Sequence, residues 1–70
     1  MTERERKDYY LKRIRKKLIT QRFLSLIKED LEEELRIIIW NNPKEWAKEF
    51  INEEVIPYLR KFGITLEMRF

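Results

Sequence analysis

The chain has no cysteine and no histidine, a single glycine and two prolines in seventy residues. Without cysteine there is no disulfide framework and no thiolate ligand, and without histidine no imidazole for metal binding or proton transfer. A lone glycine excludes a glycine-rich phosphate cradle. Long apolar runs are missing too. The longest is Ile37 to Trp40, far short of the roughly 20 residues that cross a bilayer. The charged N-terminus shows no signal-peptide pattern, which points to a cytoplasmic protein.

Charge and apolar side chains fill the space these absences leave. Charged residues make up 41% of the chain and apolar ones 43%, too much apolar content for a solvated coil. Seventy residues suffice for one small helical domain, residues 1–70. A domain of this size hides only about 60% of the surface its unfolded chain exposes, so a partner or a second copy is expected to help stabilise it. Abundant Glu, Lys, Arg and Ile also match the composition of thermophile proteins.

The net charge of +3 conceals a bipolar chain. Residues 1–28 hold ten basic and three acidic residues, residues 29–56 three basic and nine acidic, and residues 57–70 three basic and one acidic. Such segregation points to surfaces of opposite sign.

Periodicity predicts a mainly α fold with two or three helices over about 3–19, 25–40 and 43–62. Thr2 with Glu5 fits a capping box. Tyr10, Leu11, Ile14 and Leu18 form one apolar stripe, and Leu24, Ile27, Leu31, Leu35 and Ile38 another. On one straight helix these would lie roughly 120° apart. A break between Ile19 and Ser25 is therefore expected, with Ser25 as the N-cap. In Asn41-Asn42-Pro43-Lys44-Glu45, Asn42 is expected to cap, Pro43 to take the first helical position and Glu45 to close a box.

The following helix directs Trp46, Phe50, Ile51, Val55, Tyr58, Leu59 and Phe62 to a core, and Pro57 should kink it near Glu53 to Ile56. Trp40 and Trp46 are expected to pack beneath the Asn-Asn-Pro turn. Gly63 then supplies a left-handed stop. Beyond it, Ile64, Leu66, Met68 and Phe70 alternate with Thr65, Glu67 and Arg69, the pattern of one C-terminal β-strand over 64–70. A single strand needs a partner. The alternative architecture is α-β-α-β, in which the β-branched stretch 35–40 pairs with it.

No catalytic constellation is present: Ser25 lacks a base, and no carboxylate pair is set in an identifiable apolar pocket. The acidic stretch from Glu29 to Glu34 lacks the spacing of a calcium loop, so no metal or cofactor is expected. A non-enzymatic nucleic-acid-binding protein is the function these features favour. The basic first helix would hold phosphates through Arg4, Lys12, Arg13, Arg15, Lys16, Lys17 and Arg22. Tyr9 and Tyr10, among these cations, are the aromatics placed to touch nucleic acid.

A homodimer is expected, with Tyr10, Leu11, Ile14, Leu18, Ile64, Leu66, Met68 and Phe70 at its interface. The competing reading is a small accessory subunit docking on a larger enzyme of DNA or RNA metabolism through its C-terminal strand and helical faces. A membrane-surface role is disfavoured, because the first apolar stripe carries no Trp or Phe.

Overall fold

The computed structural model describes residues 2–21 and 23–66, except for the side chains of Leu24 and Ser25. The fold is mainly α. Helix α1 spans Glu3–Thr20 and α2 spans Leu24–Asn41. The third helical segment is α3 (Lys44–Phe50), a π-helical turn (Ile51–Val55) and α4 (Ile56–Lys61).

Residues 35–40 lie inside α2, which removes the α-β-α-β alternative. Ile64–Leu66 has no regular secondary structure, and residues 67–70 of the expected strand lie outside the described residues.

Local chemistry explains most of the ends. The Thr2 hydroxyl oxygen accepts the Glu5 amide N–H at 3.2 Å, and the hydroxyl donates to the Glu5 carboxylate at 3.0 Å. That satisfies one of the orphan donors of the first turn of α1. At the other end of the chain, Gly63 takes φ +75°, where a side chain would be strained. Its N–H bonds the Arg60 carbonyl and that of Ile64 bonds Leu59, the paired pattern that closes a helix with a left-handed residue.

Two expected caps are not formed. Phe23, rather than Ser25, occupies the N-cap of α2, and no side chain caps that end. Pro43 is the N-cap of α3 instead of its first residue, its carbonyl accepting the Ala47 N–H at 2.9 Å. Asn42 is engaged elsewhere: its amide donates to the Ile38 carbonyl at 2.8 Å and the Tyr10 hydroxyl at 3.0 Å. It closes the helix before it and ties that end to α1.

The π-turn has two causes. Pro57 has no N–H, and its ring would crowd the carbonyl four residues back, at Glu53. Widening the turn lets the Ile56 N–H bond Ile51 instead. In addition, Ala47, Ile51, Val55 and Leu59 recur every fourth residue and all are at most 1% exposed. On a regular α-helix this spacing would drift about 120° over three steps. The wide turn takes up the drift and keeps all four on one face.

Helices α1 and α2 run antiparallel, linked by Gln21 to Asp30 near the hairpin, Arg13 to Glu34 at mid-length, and Arg6 and Tyr10 to Asn42 at the far end. The third segment runs alongside α1 in the same direction, with Trp46 bonded to Glu3 and Glu54 to Arg4 and Lys7. Tyr10 and Ile14 from α1, Leu31, Leu35 and Ile38 from α2, Ala47, Phe50, Ile51, Val55 and Leu59 from the third segment, and Ile64 form one core. Phe50 is its largest fully buried side chain, 5.3 Å from Trp46 and 6.2 Å from Tyr10 between ring centroids.

Two aromatics expected inside are outside: Trp40 is 77% exposed and Phe62 53%. The run Ile37 to Trp40 covers every side of its helix turn, and only Ile38 points fully inward. Phe62 is the residue at which α4 ends, just before the left-handed glycine.

Candidate nucleic-acid interface

Helix α1 carries the cations, and its neighbours sort them into two sets. In the first turns, Arg4 donates to Glu54 at 2.9 Å and to Asp8 at 3.2 Å. Lys7 meets the other Glu54 oxygen at 3.0 Å and Glu3 at 3.7 Å. Arg6 donates to the Asn42 side-chain oxygen at 3.3 Å, with its guanidinium 5.4 Å from the Trp46 ring centre. The hydrogen bonds to Glu54 raise both the Arg4 and the Lys7 pKa. For Glu54 itself, partial burial acts to raise the pKa, but the donors on Lys7 and Arg4 outweigh it and hold the carboxyl below its ordinary value.

Arg13 is the strongest tie. Its Nε and Nη2 donate to the two Glu34 carboxylate oxygens at 2.9 and 3.0 Å, a fork-to-fork pair. The Glu34 side chain is only 5% exposed and that of Arg13 41%, so a carboxylate inside the helix interface is neutralised from its rim. Arg13 also reaches the Tyr9 hydroxyl at 3.5 Å, with its guanidinium 5.8 Å from that ring's centre. The hydrogen bonds to Glu34 and Tyr9 raise its pKa further above an already high value.

Lys12, Arg15, Lys16 and Lys17 form the second set. Among the described residues none of the four makes an ion pair. Lys12, Arg15 and Lys16 are exposed, and Lys17 is half-buried. They flank two concave surfaces. Lys16 and Lys17 join Arg13, Thr20, Gln21 and Glu34 around a cleft of about 300 Å³. Lys12 and Arg15 join Asp8, Leu11 and Tyr58 around a smaller one of about 170 Å³. The cations thus line both depressions along the last three turns of α1.

Of the seven residues expected to hold phosphates, four keep their charge available, Arg4 and Arg13 are committed to internal carboxylates, and Arg22 lies outside the described residues. Lys7 and Arg6 also serve as ties, which the sequence did not single out. Glu54 stands fifty residues from Arg4 and Glu34 twenty-one from Arg13, so no local spacing announces either pair. Of the two aromatics among the cations, Tyr9 is 50% exposed and Tyr10 is buried.

The expected dimer interface is turned inward. Tyr10, Ile14 and Ile64 are buried in the chain's own core, and Leu11, Leu18 and Leu66 pack against it. Burying them within one chain removes the same apolar area from water that a dimer would have removed. Met68 and Phe70 lie outside the described residues. No helix among the described residues is long and apolar enough to cross a membrane. Set beside known proteins, the chain matches no family model, no curated protein and no solved structure.

Proposed function

We propose that this chain is a non-enzymatic nucleic-acid-binding protein whose contact surface is the C-terminal half of α1, with Lys12, Arg15, Lys16 and Lys17 on phosphates. The supporting observation is the division of charge along the helix: Arg4, Lys7 and Arg13 each have an acid within 3.0 Å, while these four make no ion pair among the described residues. Lysine and arginine heads left in water around the exposed side of a helix are the usual means of holding a phosphate backbone, and they position a protein without reading bases.

The reading narrows the sequence expectation, because Arg4 and Arg13 become structural. Of the two surfaces the accessory-subunit reading uses, the C-terminal strand and the helical faces, the strand's described anchors Ile64 and Leu66 pack on the chain's own core.

Fluorescence anisotropy of labelled duplex and single-stranded DNA, titrated at several salt concentrations, tests the proposal. Four phosphate contacts on duplex DNA predict that log K falls with log salt at a slope of about −3.6. Replacing Lys16 and Lys17 by Glu should abolish binding without unfolding the chain. Absence of binding at low salt overturns the proposal.

A further inference from the structure

The α1–α2 hairpin has one side packed on the third helical segment and another turned away from it. At about 100° per residue, Tyr9, Lys16 and Lys12 follow Arg13 around α1 on that outer side. On α2, Ile37, Leu26, Glu33 and Trp40 follow Asp30 and Glu34 in the same way. Lys12 and Lys16 on α1, and Glu29 and Glu33 on α2, are exposed and without an ion pair among the described residues. Arg36, beside the acids on α2, is paired with Glu32 at 3.9 Å. Exposed apolar groups accompany both rows: Tyr9 at 50%, Leu26 at 46% and Trp40 at 77%. One chain therefore displays a basic and an acidic row side by side, each with apolar groups in water.

We propose that this outer hairpin face docks on the same face of a second copy, α1 of each chain lying across α2 of the other. A two-fold axis in the interface, parallel to the helices, produces that arrangement and makes the contact self-complementary. It also sets the register, because rotation about such an axis leaves every residue at its own level. Within the chain, Arg13 is level with Glu34, Gln21 with Asp30 and Tyr10 with Asn42. With equal rise per residue on the two helices, these levels bring Lys16 opposite the partner's Glu33 and Tyr9 opposite the partner's Trp40, to within about one residue. Opposite charges meet in the middle and aromatic groups at the Tyr9 end. Charge complementarity of this kind selects the second copy as occupant over an unrelated surface.

Lys16 cannot hold a phosphate and the partner's Glu33 at once. On the nucleic-acid reading above, and only on it, dimer and nucleic-acid complex compete.

Sedimentation equilibrium of the full chain across concentration and salt reads the proposal directly. The wild type should give twice the mass of a single chain and dissociate as salt rises. Lys16→Glu and Glu33→Lys each place like charges opposite one another twice per dimer, and each should weaken association by about tenfold or more. An equimolar mixture of the two variants restores both attractive pairs and should recover the dimer mass, which a merely structural effect of either substitution would not do.

Trp40→Ala should weaken the dimer without altering charge, and on the competition argument should tighten nucleic-acid binding. A wild type that stays monomeric at every concentration overturns the proposal, as does a dimer indifferent to all three substitutions. A dimer of the expected behaviour that binds no nucleic acid upholds the interface and removes the competition alone.

Discussion

The first half of α1 carries three cations and the second five, and apart from Arg13 the two halves use them oppositely. Near its N-terminus, Arg4, Arg6 and Lys7 are tied to Glu54, Asn42 and Glu3 on neighbouring elements or on the helix itself. Towards its C-terminus, Lys12, Arg15, Lys16 and Lys17 have no such partner among the described residues. The difference arises on the neighbouring helices. Glu54 stands level with the first turns of α1, Glu34 accepts Arg13, and Asp30, one turn down the same face of α2, takes the Gln21 amide at 2.8 Å. A count of charges cannot separate a structural tie from an available head. The level at which the opposing acid emerges does.

Four substitutions test that division. The largest effect belongs to Arg13→Ala, which leaves the Glu34 carboxylate in the interface without its ion pair. Breaking a buried pair from one side costs several kcal/mol, and the partial exposure of Arg13 reduces this to about 2 kcal/mol. Urea denaturation should show it as a lowered midpoint at unchanged slope.

Glu54→Gln should act next, and through pH. Because the folded chain holds Glu54 below its ordinary value, its contribution is complete above the carboxylate range and is lost as pH falls through the lowered value. The Gln variant should therefore lose less stability than the wild type over that acid interval. The smallest effect is expected for Lys16→Ala and Lys17→Ala, which should leave stability within about 0.5 kcal/mol. A large loss there would erase the distinction between the two halves.

The backbone was legible to a considerable extent. Expected helices over 3–19, 25–40 and 43–62 correspond to Glu3–Thr20, Leu24–Asn41 and the segments from Lys44 to Lys61. These follow from apolar period, Thr2, Gly63 and the Asn-Pro punctuation, all of which act within a few residues. Pro57 announced a disturbance before it, though not that it would be a π-turn.

Tertiary arrangement was less accessible. Asn42 has the chemistry of a cap, but the Tyr10 hydroxyl thirty-two residues away lies within its reach, and the side chain bridges helices instead. Trp40 and Phe62 belong to apolar patterns, yet each falls on the outward side once Ile38 and Leu59 have taken the inward one. For the candidate site, clustering of cations along α1 was visible. Which of them would be neutralised depended on residues from distant parts of the chain.

The π-turn between Ile51 and Val55 has a consequence for chain length. A helix that widens by one residue and then resumes α geometry has, in effect, accepted an insertion without shifting the face it presents. Asn52 and Glu53 are exposed there, so the extra residue is carried on the water side. A chain one residue shorter at this point would bring Val55 three positions after Ile51 rather than four. Ala47, Ile51, Val55 and Leu59 would then share one side of a plain α-turn. Once Pro57, whose ring a plain α-turn would crowd, is replaced as well, the same core admits two sequence lengths at this position.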